Sequence, residues 1–238
     1  MDNKGYRLPP LIRGTLIKRY KRFLADVKLD TGETITAHCP NSGSMKGCAI
    51  QGAPVWLSTS DNPKRKYPHT WELVRGPESM IGINTMVPNR LVKSAVEQCL
   101  IPELTGYDTI RPEVKTSQNT RLDLMLASAD GKKCYVEIKN CTLVEKGVAM
   151  FPDAVTTRGQ KHLQELAALV AEGHRGVIFY LIQRMDACVF RPADAIDKAY
   201  GIKLRQAVAG GVEAVARDTV ISTERIRMGK KIPVELVG

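Results

Sequence analysis

Short apolar runs alternate with polar turns over the first third of the chain, with no helical repeat. "LIKRYKRFLADVKL", the turn "DTGE" and "TITAH" read as one hairpin. "APVWLSTS", the loop "DNPKRKYP" and "HTWELV" read as a second. Evenly spaced strands from Leu11 to Val74 predict a small barrel or curled sheet, with "RGPESMIGINT" as the junction to a second part of the chain. From Val87 the period lengthens. Leu91, Val92, Ala95, Val96 and Cys99 form a helical stripe with Pro88 at its start. A strand near "YDTIRPEVK" precedes a hairpin within Thr120 to Asn140, reversing at Asp130-Gly131. After a loop rich in small residues, "TTRGQKHLQELAALVAEG" predicts a helix capped by Thr156 or Thr157 and stopped at Gly173. The strand "RGVIFYLIQ", a helix in "PADAIDKAYGIKLRQAVAG" and a last strand "VEAVARDTVI" complete the order of an α/β domain. The pattern therefore divides the chain into a β module over 1–82 and an α/β domain over 83–238.

Charge sharpens this picture. The 238 residues carry 35 Lys and Arg against 25 Asp and Glu, a formal net charge of +10. Such an excess favours a polyanionic partner such as nucleic acid. No apolar run reaches the length of a membrane span, and "MDNKGYRLPPLIRG" lacks the apolar core of a secretory signal. A cytoplasmic protein is expected, and its dispersed cysteines are expected as free thiols rather than disulfides or a zinc site.

The central hairpin raises a chemical question, because Asp123, Glu137 and Lys139 interrupt apolar strands. Strand alternation puts Glu137 and Lys139 on one face with Tyr135, and Cys134, Val136 and Ile138 on the other. In the partner strand Leu122, Leu124 and Leu126 are expected to share a face, with Asp123 opposite beside Met125. A tight register brings Asp123 next to Glu137 and Lys139. Two adjacent carboxylates both stay ionised at low cost when a cation lies between them. Mg²⁺ suits that place, since it takes one or two carboxylates, keeps several waters and binds phosphate oxygens. A nearby lysine can neutralise charge developing on a phosphate. The set fits metal-assisted phosphodiester hydrolysis, whereas a salt-bridged trio on a solvated sheet face is the plainer alternative.

In this element order, Asp123, Glu137 and Lys139 in "RLDLMLASADGKKCYVEIKN" resemble the PD-(D/E)XK nuclease superfamily. More closely, "HCPNSGSM", "SDNPKRKYPHTWELV", "YVEIKN" and "FPDAVTTRGQKHLQEL" resemble the sugar fermentation stimulation protein A family, over nearly the whole chain. The resemblance implies an OB-like module before a nuclease-like α/β domain with a mixed central sheet. It also implies DNA binding with little sequence preference and a regulatory role in sugar, notably maltose, metabolism. By the same resemblance, Asp123 and Glu137 match metal-binding carboxylates and Lys139 the catalytic lysine, with Mg²⁺ or Mn²⁺ as cofactor. Gln160 falls where related nucleases place a polar residue facing the site, and Glu113 and Glu97 are each either a further carboxylate of the site or, more commonly for such residues, a plain surface charge.

Two basic stretches interleave with aromatics: Lys18, Arg19, Lys21 and Arg22 around Tyr20 and Phe23, and Lys64, Arg65 and Lys66 beside Tyr67 and Trp71. Cations that follow phosphates and rings that stack on bases are the combination of OB-type single-strand binders. Trp56 and Trp71 are expected in the core. "PNSGSMKG" is either an amide-lined phosphate loop or a plain turn, and it lacks a P-loop's closing Gly-Lys-Ser/Thr. The tail "RIRMGKK" is either a further cationic strip or a frayed end, and "VEAVARDTVI" has the alternation of a strand rather than a recognition helix. The sequence thus allows three functions: a metal-dependent nuclease, a DNA-binding regulator without catalysis, and an enzyme of small-molecule metabolism that should lack DNA affinity.

Overall fold

A computed structural model describes residues 5–118 and 120–236. Its first strands are β1 (Tyr6–Arg7), β2 (Leu11–Tyr20), β3 (Leu24–Leu29), β4 (Thr34–His38), β5 (Pro54–Thr59), β6 (His69–Arg75) and β7 (Met80–Gly82). Strands β2 to β7 form a sheet ordered β4-β3-β2-β5-β6-β7, and the pair His38–Thr70 joins β4 to β6, closing an OB-like barrel. The long β2 serves both halves: its beginning pairs with β5 and its end with β3, with an irregularity between Leu16 and Lys18. Leu16, Val27, Ala37, Val55, Leu57 and Trp71 fill the interior, and the Trp71 indole N–H donates to the Leu73 carbonyl.

Two expectations for this module change. The run expected as one strand from Leu16 to Leu29 turns back at Lys21 and Arg22, both in the left-handed region at φ 49° and 62°. Two such residues are the signature of a tight hairpin turn that Asn-Gly usually marks, so a Lys-Arg turn is hard to foresee. In addition, Tyr6–Arg7 of the expected 1–82 module pairs with the last strand of the other sheet, so the barrel's own strands begin at Leu11.

The α/β part contains α1 (Val87–Glu97), a 3₁₀ turn (Pro102–Leu104), β8 (Thr109–Ser117), β9 (Thr120–Ala127), β10 (Lys133–Cys141), β11 (Leu143–Glu145) and β12 (Val148–Phe151). It continues with α2 (Thr157–Ala171), β13 (Arg175–Ile182), β14 (Val189–Pro192), α3 (Lys198–Ala209), β15 (Glu213–Ile221) and β16 (Arg225–Ile232). The main sheet runs β1-β16-β15-β13-β10-β9-β8; β10, β13 and β15 are parallel and the outer pairs antiparallel. Central β13 is apolar on both faces for a reason: Val177, Phe179 and Leu181 pack under α1, while Ile178, Tyr180 and Ile182 pack under α2 and α3. Thr156 caps α2 by accepting the Gly159 N–H, and Asp197 caps α3 by accepting the Tyr200 N–H. Burial of Leu163, Leu166 and Leu169 fixes α2 on the sheet, each contributing about 1.5–3 kcal/mol.

The segment expected as a loop before α2 instead forms β11 and β12, which join β14 from beyond β13 in a small sheet ordered β11-β12-β14, all strands too short to show a period. The tail "RIRMGKK" is neither frayed nor loose; it is β16, paired with β15 and β1. All six cysteines are unpaired. Among the described residues no helix is long and apolar enough to cross a membrane.

Candidate active site

The β9–β10 ladder runs from the pair Ala127–Lys133 to Leu124–Val136 and goes no further. Just beyond it, the Ile138 N–H donates to Asp123 Oδ2 at 2.7 Å, so a side chain accepts the bond a ladder carbonyl would have taken. The strands splay here. Leu124 and Leu126 join the core under α1, but Leu122 joins the core under α2, contrary to the shared face expected of the three leucines. The second oxygen of Asp123 accepts the Asn89 amide from the first turn of α1 at 2.6 Å.

On β10, Glu137 and Lys139 point toward α2. Lys139 Nζ donates to Glu137 Oε1 at 2.6 Å, and the same oxygen meets His162 Nδ1. Lys139 Nζ also lies 3.2 Å from His162 Nδ1, and Arg158 Nε donates to His162 Nε2 at 3.4 Å. Side-chain exposure is 4% for Glu137, 11% for Lys139 and 7% for His162, so this is a nearly dry ionic cluster. The other Glu137 oxygen, Oε2, is buried with no hydrogen-bond partner. A buried carboxylate oxygen left bare is costly and calls for a ligand.

Electrostatics treats the two carboxylates differently. Burial, followed by the charge of Glu137, pushes Asp123 up to about 6, against the opposing bonds from Ile138 and Asn89 and the charge of Lys139. Burial also opposes the charge of Glu137, but His162 and Lys139 outweigh it and hold that carboxyl below its ordinary range. Among the described residues no group of three or more His, Cys, Asp or Glu is arranged to hold a metal; the anionic groups at this point are two carboxylates, those of Asp123 and Glu137, close enough for the charge of Glu137 to raise Asp123. That number suits Mg²⁺ or Mn²⁺ with water completing the shell, and the bare Glu137 Oε2 supplies an open donor.

Gln160 does not join the cluster. Its amide donates to Asp197 Oδ1 and Oδ2 at 3.1 and 3.2 Å, tying α2 to the start of α3. Residues two apart on a helix face different ways, so His162, not Gln160, meets Glu137. Glu113 pairs with Arg121 and Glu97 with Lys93, both on the surface. The sequence alone does not single out His162 or Asn89, although a histidine within the buried stripe Gly159, His162, Leu163, Leu166 and Leu169 is the available signal.

The predicted basic residues divide by role. Lys21 and Arg22 are exposed on the β2–β3 turn, and Lys64 and Lys66 on the β5–β6 loop. The two loops meet at one end of the barrel: the Phe23 carbonyl accepts the Cys39 N–H, His38 pairs with Leu24 and Thr70, and Arg65 donates to Thr70 Oγ1. Lys18 is exposed near Asp26 and Tyr20. Arg19 is committed elsewhere, since its guanidinium donates to the carbonyls of Arg22, Asn41, Gly43 and Ser44. It thereby holds the "PNSGSMKG" loop, whose Ser44 hydroxyl and Met45 N–H donate to Asp153 of the α/β part at 3.2 and 3.1 Å. These contacts make the loop a structured bridge between the two parts. Trp71 is fully buried, whereas Trp56 is half-buried and pairs with Arg13 of the neighbouring strand β2.

Comparison with known proteins agrees with this architecture. The family model for the SfsA N-terminal OB domain matches residues 17–83, and that for the sugar fermentation stimulation protein RE domain matches residues 86–225. The sugar fermentation stimulation protein homolog of Pelobacter propionicus is 59% identical over 97% of this chain and 100% of its own length. That of Geobacter sulfurreducens is 56% identical over 94% of this chain and 96% of its own. The solved structure of Pyrococcus furiosus SfsA in complex with Ca²⁺ superposes with a TM-score of 0.88 at 25% identity, covering 98% of this chain and 99% of that one. The chain belongs to the sugar fermentation stimulation protein family.

Proposed function

We propose that this protein binds nucleic acid, DNA foremost, with little sequence preference, and hydrolyses phosphodiester bonds at Asp123, Glu137 and Lys139 with Mg²⁺ or Mn²⁺. The observation that carries this reading is the buried, unpartnered Glu137 Oε2 beside a second, partly buried carboxylate and a lysine. Asp123 and Glu137 would hold the cation, and the relative from Pyrococcus furiosus, solved with Ca²⁺, supports a divalent ion in this fold. When bound, such an ion polarises a phosphoryl oxygen and lowers the pKa of a bound water.

The chain's own groups supply the rest. Asn89 and the Ile138 N–H fix the Asp123 carboxylate from two sides. His162 and Lys139 hold one oxygen of Glu137, leaving the other for a ligand. Lys139 is the cation best placed to offset charge that develops on a phosphate. The exposed residues Lys21, Arg22, Lys64 and Lys66 at one end of the barrel provide affinity for the phosphate backbone, so binding falls steeply as salt rises.

The test is incubation of the purified protein with end-labelled single- and double-stranded DNA and RNA in Mg²⁺, Mn²⁺ or EDTA. Metal-dependent cleavage that disappears in Glu137→Ala supports hydrolysis. Cleavage equal in Glu137→Ala and wild type assigns the activity to a contaminant. Salt-sensitive binding would then remain, the property of a non-catalytic regulator such as one acting on sugar metabolism.

A further inference from the structure

A second basic feature lies away from the barrel, against the site itself. A cavity of about 380 Å³ is lined by Thr120 and Arg121 of β9 and by Thr157, Arg158, Lys161 and His162 of α2. No acidic side chain lines it. Arg158 and Lys161 are exposed, while His162 forms the buried wall. That wall joins the cavity to the cluster: His162 Nε2 accepts from Arg158 on one side, and Nδ1 meets Glu137 Oε1 on the other. Thr120 and Arg121 immediately precede the segment that leads to Asp123.

We infer that this cavity seats a backbone phosphate of the nucleic acid next to the bond being cleaved. The inference rests on the proposed function and adds to it where the strand is held. Three cationic side chains and two hydroxyl donors converge without a competing carboxylate in the lining, which suits an anion with several acceptor oxygens. Arg121 has a surface partner in Glu113, an exposed ion pair that a phosphate can displace at little cost. The seat also has a direct mechanical link to the reaction centre, since a phosphate drawn to Arg158 bears on the imidazole that orients Glu137.

The test compares oligonucleotide binding, by fluorescence anisotropy in EDTA over a range of salt, for wild type, R158Q/K161Q and K132Q/K133Q. The last pair removes the same charge from the far end of the β9–β10 hairpin, where Lys133 pairs with Ala127. R158Q/K161Q is expected to weaken binding about tenfold or more and to reduce the log–log salt slope by about 0.7–0.9, the value for one lost phosphate contact. K132Q/K133Q should change little. Equal losses in both doubles would reduce the effect to net charge and overturn the inference. So would wild-type affinity and cleavage in R158Q/K161Q, with the proposed function left standing. No oligonucleotide binding by wild type would overturn both. If inorganic phosphate stabilises wild type but not R158Q/K161Q while oligonucleotide affinity is unchanged, the cavity is a small-anion site and the inference fails.

Discussion

Asp123 accepts the backbone N–H of Ile138, so a carboxylate rather than a carbonyl ends the β9–β10 ladder. One residue thus does two jobs, closing a gap in the sheet and presenting charge beside Glu137. The jobs separate by substitution. Asp123→Ala leaves the Ile138 N–H bare and should cost about 1–3 kcal/mol, a fall in Tm of about 2–4 °C per kcal/mol. Asp123→Asn keeps an acceptor and removes the repulsion from Glu137, so its Tm in EDTA should match or exceed wild type. The stabilisation by Mn²⁺ should vanish in both variants. Scanning calorimetry with and without the ion checks this.

The raised Asp123 carboxyl sets a pH window. Its folded value of about 6 lies above the ordinary value of about 4, so between these pH values the folded chain binds more protons than the unfolded chain. Its contribution to stability is therefore complete below about pH 4 and is lost as pH rises to about 6, amounting to about 3 kcal/mol at most. Glu137, held below its ordinary range, acts oppositely: its contribution is present above that range and is lost on acidification. The variant Asp123→Asn should gain on wild type in cation-free Tm between pH 4.5 and pH 7, and Mn²⁺ should stabilise wild type mainly above pH 6. A pH-independent gap between the two proteins would contradict the partly buried, charge-coupled state of Asp123.

His162 should matter to stability as well as to any activity. His162→Ala removes one of two partners of Glu137 Oε1 in a cluster that is almost dry, at an expected cost of about 1–3 kcal/mol. His162→Gln, which keeps a donor, should recover part of that loss. Urea unfolding of the two variants separates a hydrogen-bonding role from one of filling space, since equal losses would leave only the latter.

The Lys21-Arg22 turn predicts a trade between stability and binding. Two non-glycine residues in the left-handed region cost about 1–2 kcal/mol each, which Asn-Gly would relieve. Lys21→Asn with Arg22→Gly should raise Tm and weaken DNA binding, with a salt slope lower by about 1.8 for two lost contacts. Unaltered binding would remove this turn from the nucleic-acid surface.

Arg19 and the Lys64/Lys66 pair should behave in opposite ways. Arg19→Ala frees the carbonyls of Asn41, Gly43 and Ser44 and should lower Tm by several degrees, because the loop that meets Asp153 loses its anchor. K64Q/K66Q should leave Tm unchanged and reduce affinity for DNA. Melting curves and anisotropy on the same samples decide whether a basic residue in this module serves the fold or the ligand.

The sequence shows clearly where local pattern and tertiary role coincide. The apolar run of β13, the capped α2 and the alternation that puts Glu137 beside Lys139 on one side of β10 are all determined within a few residues. Legibility ends where partners are distant. Nothing near Asp123 reveals that Asn89 will bind it, and a histidine on an apolar helix face looks like packing until Glu137 arrives from another strand. Arg19 reads as a surface cation because its four carbonyl partners lie across a turn and a loop. Gln160 illustrates helical phase: two residues separate it from His162, and that offset sends it to Asp197 instead. The alternation Leu122, Leu124, Leu126 fails for a similar reason, as the hairpin opens at the very residue expected to sit quietly between them.

The pairing of Tyr6–Arg7 with β16 gives the molecule an unexpected connectivity. The barrel is threaded into the chain between an edge strand of the larger sheet and that sheet's first helix, so no single cut separates the two units cleanly. A fragment starting at Ile83 would lose its outermost strand and leave the flank of β16 open to pairing with other copies. Such a fragment should self-associate, whereas one in which residues 5–10 are joined to Ile83 by a short linker should stay monodisperse. Nuclease assays on the larger unit alone would have to preserve that stitch.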